Sequence, residues 1–280
     1  MPWLPEAKIV SLPDRGEMFV RHHQHPDPEA PTVLLLHGWT ASSDTQFFTA
    51  YPELAKHYSF IGVDHRGHGR GLRPNRSFSL EECADDAAAV VRVLGVSSVI
   101  TVGYSMGGPI SLFVAQRHPD LVDGMVLQAT AMEWRSTRHE RVRWFFQAAV
   151  SPLLRNVTTP RVLNSVLHRS VLRRDHEIAK YVPWLVGEIR RNDGWIVSRG
   201  GKALSKYDAR PWVGELGKPA AYLLTTKDQL VPVAKQRELA SALDAHVVEI
   251  EGDHFVTLSQ PAQYATATRE ALHQVAQRVG

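Results

Sequence analysis

The stretch G-Y-S-M-G-G, residues 103 to 108, follows the apolar run V-S-S-V-I-T-V, which ends at Val102. It places one serine between glycines where a strand would give way to a helix. One interpretation is an ordinary turn built from small residues. The other is a sharp bend that holds Ser105 outward, so that its hydroxyl can attack a substrate. The G-x-S-x-G pattern is a weak signal by itself, and the surrounding sequence has to decide.

The local context favours the second interpretation. A strand is predicted over Val99–Val102 and a helix over Met106–Arg117. Gly103 and Gly107 are expected to approach each other across the bend, where a side chain would clash. The start of the helix would offer N–H groups and a positive dipole end, which suit an oxyanion.

Along the rest of the chain, short apolar runs alternate with segments of helical spacing. The first two runs read as an antiparallel pair around the turn Asp14–Gly16. This rhythm predicts an α/β fold with a mostly parallel, doubly wound sheet of about eight strands, covered by helices on both faces. The further predicted strands are 7–12, 17–23, 32–36, 59–63, 121–127, 220–225 and 246–250, and the further helices are 80–94, 233–243 and 261–278.

The alternation of predicted strands and helices stops between residues 131 and 210. Apolar residues recur there at helical spacing, as at Val142, Phe145 and Phe146, without a comparable strand. We expect a helical cap at 131–210, inserted between the sixth and seventh strands of a core formed by 1–130 and 211–280. The cap has 16 Lys or Arg and 7 Asp or Glu, a net charge of +9, whereas the rest of the chain carries −6.

Candidate partners for the serine follow two later strands. Asp228 comes just after the strand 220–225, and His254 just after the strand 246–250. The carboxyl ends of parallel strands meet at one edge of a sheet, so both are expected near Ser105. His254 would accept the serine proton as a base, while Asp228 would fix the imidazole tautomer.

These motifs resemble the α/β-hydrolase family across nearly the whole chain. The resemblance implies that the backbone N–H groups of Trp39 and Met106 bind the oxyanion. It also implies that the cap covers the active site, and it favours Asp228 as the acid over Glu133, the first carboxylate after the sixth strand. The matching segments are H-G-W at 37–39, D-H-R-G-H-G at 64–69, G-Y-S-M-G-G at 103–108, K-D-Q-L-V-P at 227–232 and G-D-H-F at 252–255.

The predicted function is therefore a serine hydrolase that cleaves an ester-type bond of a small apolar or amphiphilic substrate through an acyl-enzyme. No cofactor and no metal are expected. Three alternatives stay open: carbon–carbon hydrolysis of ring-fission products, cofactor-free perhydrolase or haloperoxidase chemistry, and a non-catalytic binding protein on the same fold. The residues expected to line the substrate pocket are Trp39, Phe145, Phe146, Val231 and Phe255.

Composition narrows the partners. A net charge of +3 gives no support to nucleic acid binding, although the basic cap could favour anionic substrates or a weak association with an anionic lipid surface. The first residues lack a signal-peptide pattern, no apolar stretch is long enough for a membrane span, and Cys83 stands alone, so a cytoplasmic location is expected. The cluster His22, His23 and His25 is interpreted as part of a solvated strand rather than as a metal site.

Overall fold

The computed structural model describes residues 1–73, 78–138, 140 and 176–279. Its centre is an eight-stranded sheet with the order β1-β2-β4-β3-β5-β6-β7-β8. The β1–β2 and β2–β4 pairs are antiparallel, and the other five pairs are parallel. The predicted fold class is confirmed, and each strand lies within two residues of its predicted limits. The strands are β1 Glu6–Leu12, β2 Gly16–His23, β3 Thr32–Leu36, β4 Ser59–Val63, β5 Val99–Tyr104, β6 Val122–Gln128, β7 Ala220–Thr225 and β8 His246–Ile250.

Helices cover the two faces of this sheet. The four long helices of the core were all predicted from their periodicity, whereas α1 and α2 were not. These two have only five and four residues, too few for a periodic pattern, and α1 begins at a capping box between Ser42 and Thr45. In the described ranges the helices are α1 Ser43–Phe47, α2 Tyr51–Leu54, α3 Leu80–Val93, α4 Gly107–Arg117, α5 His176–Ala179, α6 Val182–Ile189, α7 Gly194–Leu204, α8 Val233–Ala242, α9 Val256–Ser259 and α10 Pro261–Val279.

The central strands are buried on both faces, which explains their nearly continuous apolar sequences. In β3, Leu34 and Leu36 belong to the hydrophobic cluster on the α3 and α4 side of the sheet. The alternate residues Val33 and Leu35 belong to the cluster on the α2 and α10 side. Alternate side chains of this one strand therefore pack into two separate hydrophobic clusters. The buried sheet positions the loops that follow the carboxyl ends of its strands.

The long insertion lies where it was expected, between the end of β6 and the start of β7. Its described part contains α5, α6 and α7. The limits 131–210 stay a prediction. The residues whose helical spacing was noted there, Val142, Phe145 and Phe146, lie outside the described residues, so the two predicted pocket phenylalanines stay a prediction.

The interpretation of the histidines near residue 23 as solvated is wrong for His22. This side chain is 8% exposed, because β2 is an interior strand between β1 and β4. Its Nδ1 lies 2.8 Å from the Lys8 Nζ, whereas the Nε2 of His23 faces the Ala55 carbonyl at 3.1 Å. The imidazoles thus have separate partners. Within the described ranges, no group of three or more His, Cys, Asp or Glu side chains is arranged so that it could hold a metal ion.

Within the part of the chain that the structure describes, no helix is both long enough and apolar enough to cross a bilayer.

Candidate active site

Ser105 lies at a strained bend directly after β5. Its φ angle is 52°, in the left-handed region that side chains rarely adopt. Hydrogen bonds to both backbone polar groups of Ser105 stabilise this conformation. The Ser105 N–H donates to the Gln128 carbonyl at 2.9 Å, and the Thr130 hydroxyl donates to the Ser105 carbonyl at 2.8 Å. The half-buried side chain is therefore held outward at the carboxyl edge of the sheet.

Two glycines make this bend possible. A Cβ at Gly103 would overlap the carbonyl group of Gly107, which confirms the predicted close approach across the bend. A Cβ at Gly107 would overlap the Leu36 carbonyl at the end of β3. The start of α4 consequently packs directly against the end of β3, and the loop that follows β3 is brought beside Ser105.

His254 lies between Ser105 and Asp228. Its Nε2 is 3.1 Å from the Ser105 Oγ, and its Nδ1 is 2.7 Å from the Asp228 Oδ2. A carboxylate can only accept, so the proton of a neutral imidazole belongs on Nδ1. This leaves Nε2 as an acceptor for the serine hydroxyl. The three residues expected from the sequence thus form one hydrogen-bonded chain.

The Asp228 carboxylate is fully buried and uses both of its oxygens. Its Oδ1 accepts the backbone N–H groups of Leu230 and Val231, at 2.8 and 2.9 Å. Its Oδ2 accepts the Thr225 hydroxyl at 3.0 Å, besides the bond from His254. Four donors on one carboxylate fix its plane relative to the imidazole.

Gln236 supports this carboxylate from α8 and was not identified from the sequence. Its side chain is completely buried. The Nε2 donates to the Thr225 hydroxyl oxygen at 3.0 Å and to the Val231 carbonyl at 2.9 Å, while the Oε1 accepts the Thr225 N–H at 3.0 Å. Gln236 therefore orients the Thr225 hydroxyl toward Asp228 and holds the turn that contains the acid.

Tyr104, the residue before the serine, fixes the histidine loop. Its hydroxyl donates to the His254 carbonyl at 2.9 Å, and its ring packs edge-on against the imidazole, with 5.6 Å between centroids. Tyr104, the residue between Gly103 and Ser105, therefore contacts the segment that carries His254. From the sequence, Tyr104 lies in the bend between the predicted strand and the predicted helix, and no role was predicted for it.

We expect Tyr104→Phe to lower kcat about tenfold, or 1.4 kcal/mol, because His254 loses a buried hydrogen bond that fixes its position. KM should stay unchanged, since the hydroxyl faces the backbone. Tyr264→Phe is the matched control: this buried tyrosine packs against Tyr104 at 6.0 Å but donates to the Gln128 side chain. Steady-state kinetics on all three proteins provides the test, and an equal loss of kcat in both variants would reduce Tyr104 to a packing residue.

The loop after β3 lies against the nucleophile. A Cβ at Gly38 would be 3.3 Å from the Ser105 Cβ, so the next residue, Trp39, begins beside the serine. The Trp39 indole Nε1 donates to the Val197 carbonyl of α7 at 2.7 Å, and its ring contacts Gly200 and Gly201 of the same helix. Trp39 thus connects the loop to the insertion.

Met106 is fully buried and is the N-cap residue of α4. The backbone at a helix start points N–H groups away from the helix, and here it directly follows the serine. Met106 and Trp39 therefore approach Ser105 from its own helix and from the neighbouring loop.

His37 stabilises the loop after β3 through two hydrogen bonds. Its Nε2 accepts the His65 N–H at 2.9 Å, which places the proton on Nδ1, and Nδ1 donates to the Gly38 carbonyl at 2.7 Å. His65 and His68 pack against its ring, with centroid distances of 4.2 and 5.4 Å. All three imidazoles are at most 1% exposed, and the hydrogen bonds of His37 join the loop after β3 to the loop after β4.

Burial sets the protonation of this cluster. Burial, reinforced by His68, lowers the pKa of His65 to about 3, and burial lowers the pKa of His68 to about 4. Burial also lowers the pKa of His37, further reduced by its two neighbours. Nearby, burial raises the pKa of Asp64 to about 6, although the Arg70 and Ser43 N–H groups hold that carboxylate.

The protein should therefore lose stability as the pH falls from about 6.5 to about 4. Unfolded histidines bind protons in this range while the buried ones do not, which costs about 1.4 kcal/mol per pH unit for each histidine. Asp64 acts in the opposite direction, because the native carboxylate takes up a proton near pH 6 and the unfolded one only near pH 4. The loss of unfolding free energy from the three histidines is larger than the gain from Asp64, so the net change on acidification is a loss of stability.

Urea unfolding at about pH 7.5 and about pH 5 tests this, with His68→Gln as the comparison. The variant should lose about 2 kcal/mol less unfolding free energy between the two pH values than the unsubstituted protein. Equal losses in the two proteins would show that His68 is not neutral in the folded state.

The predicted pocket residues differ in their surroundings. Phe255 is 48% exposed and its ring lies 6.1 Å from the imidazole of His254. Val231 is only 2% exposed and belongs to the hydrophobic core, which leaves little surface for a substrate. The rival acid Glu133 has its own partner, since its Oε1 lies 2.6 Å from the Lys235 Nζ.

Known proteins are similar to this chain in sequence and in architecture. The family model described as the α/β hydrolase fold matches residues 31–261. A pimeloyl-[acyl-carrier protein] methyl ester esterase of Chromobacterium violaceum is 29% identical over 254 residues, covering 87% of this chain and 95% of that protein. A 2-(acetamidomethylene)succinate hydrolase of Mesorhizobium japonicum is 35% identical over 96 residues, about a third of each chain: 34% of this one and 34% of that one.

The fold is also found in solved structures. An esterase from Exiguobacterium antarcticum has a TM-score of 0.80 at 18% identity, with 95% of this chain and 98% of that chain covered. A likeness at this identity concerns the fold alone, whereas the family match runs from the start of β3 to the start of α10. The chain therefore belongs to the α/β-hydrolase family and is a hydrolase.

Proposed function

We propose that the protein is a serine hydrolase that cleaves an ester-type bond of a small apolar or amphiphilic substrate. The observation that supports this most is the hydrogen-bonded chain Ser105–His254–Asp228, with 3.1 Å and 2.7 Å between its members. A nucleophile, a base in the correct tautomer and a buried acid are the components that acyl transfer requires.

In the first half of the reaction, the Ser105 Oγ attacks the carbonyl carbon and its proton passes to the His254 Nε2. The negative charge that develops on the carbonyl oxygen is stabilised by the backbone N–H groups of Trp39 and Met106. Asp228 stabilises the imidazolium without taking its proton. His254 then gives the proton to the leaving alcohol, and the C–O bond breaks to leave an acyl group on Ser105.

In the second half, a water molecule attacks the acyl carbon. His254 removes one proton from this water, the same two N–H groups hold the second oxyanion, and the proton returns to the Ser105 Oγ as the acid leaves. The cycle uses side chains and backbone groups of this chain together with water.

The surroundings of the serine support an apolar or amphiphilic substrate. Trp39 and the half-exposed ring of Phe255 flank the nucleophile and the base. The insertion at 131–210, which we propose as a cap, has a net charge of +9 that would attract anionic groups on a substrate.

A second function from the same site is hydrolysis of another acyl bond. One relative is named as a 2-(acetamidomethylene)succinate hydrolase, and its name contains an acetamido group in place of an ester. The same triad would carry out such a reaction if the proton from His254 reached a leaving nitrogen.

A substrate panel tests the proposal. It contains p-nitrophenyl esters of graded acyl length, the matching anilides, one ring-fission dienoate, and one carboxylic acid with peroxide. We expect saturable turnover of the esters, with higher kcat/KM for medium-length than for acetyl groups, since each buried CH₂ contributes about 0.8 kcal/mol at most. Turnover confined to the anilides, the dienoate or the peroxide reaction would replace the ester assignment. Slow, chain-length-independent reaction with every ester would indicate a binding protein.

We expect the basic cap to make the hydrolysis of anionic substrates sensitive to salt. At low ionic strength kcat/KM should be higher for an anionic ester than for its neutral analogue, and the advantage should shrink as salt screens the +9 segment. The measurement is kcat/KM for the matched pair at low and high ionic strength. Identical salt dependence for the two esters would show that the basic residues are only a solvated surface.

A further inference from the structure

A cavity lies beside α7. It has a volume of about 570 Å³ and is bounded by α7, the beginning of α3 and the ring of Phe113 in α4. We call it the α7 cavity. Ser105, Asp228 and His254 do not line it. Its size lies within the range of small-molecule sites in proteins.

Aromatic rings form the apolar part of the α7 cavity. Phe113 contacts Tyr207 edge-on at 5.7 Å between centroids, and Trp212 at 5.4 Å with a tilt of 32°. Phe78, two residues before α3, also lines the cavity. Such rings would accommodate a planar or aliphatic body of similar size.

Positive charge surrounds these rings. Arg199 and Lys202 line the cavity from α7, where their spacing of three residues places them on one side of the helix, and Lys206 lines it from the turn that follows α7. Among the described residues, none of the three forms an ion pair with a carboxylate.

The acidic residues of the lining do not cancel this charge. Asp208 is occupied by Arg210, whose guanidinium meets both of its oxygens at 2.8 and 2.5 Å. Glu81 is the remaining carboxylate of the lining. Three cations against this one carboxylate leave the α7 cavity with an excess of positive charge.

Two donors in the wall have no acceptor. The Tyr207 hydroxyl and the Arg199 Nε are buried without a hydrogen-bond partner in the described part of the chain, and Tyr207 is only 7% exposed. Buried donors without a partner are uncommon in folded proteins because each costs stability. Both residues line the same cavity. A ligand acceptor that came within hydrogen-bond distance of either donor would satisfy it.

We propose that the α7 cavity is a second binding site, which takes a small carboxylate carried on an apolar body the size of one ring. The aromatic rings would hold the body, and the carboxylate would lie among Arg199, Lys202 and Lys206. The Gly200 and Gly201 positions of α7 contact Trp39, and neither glycine lines the cavity.

Equilibrium dialysis with 3-phenylpropanoate tests the site without any catalytic step. We expect one saturable site per chain, with binding at least tenfold weaker for the neutral analogue 3-phenylpropan-1-ol, a difference of about 1.4 kcal/mol. Two variants disturb the site differently. Lys202→Gln combined with Lys206→Gln removes charge, and Ala203→Phe fills the cavity at constant charge.

Both variants should weaken 3-phenylpropanoate binding about tenfold or more. Lys218→Gln is the matched control, because Lys218 does not line the cavity, and it should bind normally. Tyr207→Phe should weaken binding while leaving the thermal unfolding temperature equal or higher, since it removes a buried donor that has no partner. If Ala203→Phe does not fold, the double lysine variant decides alone.

Three results would overturn the proposal: no saturable binding of the carboxylate, normal binding in the double lysine variant, or an equal loss in Lys218→Gln. The last would indicate general attraction to a basic protein. Because neither probe is an ester, these outcomes are independent of whether the proposed hydrolytic function is correct.

Discussion

Ser105→Ala should abolish hydrolysis, with kcat lowered about 10⁴-fold or more. The substitution removes the Oγ that faces the His254 Nε2 at 3.1 Å and leaves the backbone donors around it in place. Alanine keeps a Cβ, so the strain of the left-handed φ of 52° is the same in both proteins. The variant should therefore unfold at nearly the same temperature. A loss of kcat at an unchanged unfolding temperature would then result from the missing hydroxyl and not from misfolding.

A fluorophosphonate probe locates the nucleophile directly, because an activated serine attacks phosphorus as it attacks a carbonyl carbon. Mass spectrometry of a digest should place the adduct on Ser105. Ser111→Ala is the matched control, since this buried serine lies in α4, the helix that follows Ser105, and its hydroxyl bonds to the Thr101 hydroxyl at 2.6 Å. Its labelling and turnover should be normal. An adduct elsewhere, or full turnover in Ser105→Ala, would contradict the triad.

The sheet and the approximate position of the three side chains could be predicted because they depend on local patterns and one topological rule. Buried parallel strands read as short apolar runs, and all their carboxyl ends face the same edge. Ser105, Asp228 and His254 each follow such a run, so their convergence follows from the strand order. The same reasoning places Trp39 after β3.

The supporting residues could not be predicted, because their contacts depend on rotations and side-chain reach. Gln236 lies on α8, and a sequence pattern does not say which buried position of that helix faces Thr225. Tyr104 belongs to a strand in which every residue is buried, so nothing marks its hydroxyl as the partner of the His254 carbonyl. Val231 was assigned to the substrate pocket, yet its side chain points into the core while its N–H binds Asp228.

The buried histidines show the same limit. The motif D-H-R-G-H-G marks a loop, but the packing of His65 and His68 on His37 joins two loops that are distant in sequence. The resulting depression of their pKa values arises from burial that only the assembled fold produces. The sequence places His37 in the H-G-W motif but does not indicate the tautomer of its imidazole.

Asp228→Asn should lower kcat about 10⁴-fold while the protein stays folded. The Oδ1 of Asp228 accepts two backbone N–H groups, from Leu230 and Val231, so the amide oxygen of Asn must take that position. The amide NH₂ then faces His254 and can only donate. The imidazole is forced to accept at Nδ1 and to carry its proton on Nε2, where it can no longer accept the proton of Ser105.

Glu133→Gln is the matched control for this effect. It also neutralises a nearly buried carboxylate, but one that pairs with Lys235 instead of His254. This variant should keep normal kcat/KM and lose only stability, because it leaves the Lys235 ammonium with one carboxylate partner, Glu140. Kinetics and thermal unfolding of the two variants separate the roles. Near-normal turnover in Asp228→Asn, with a large loss in Glu133→Gln, would transfer the role of the acid to Glu133, because the tautomer of His254 would then not depend on the carboxylate after β7.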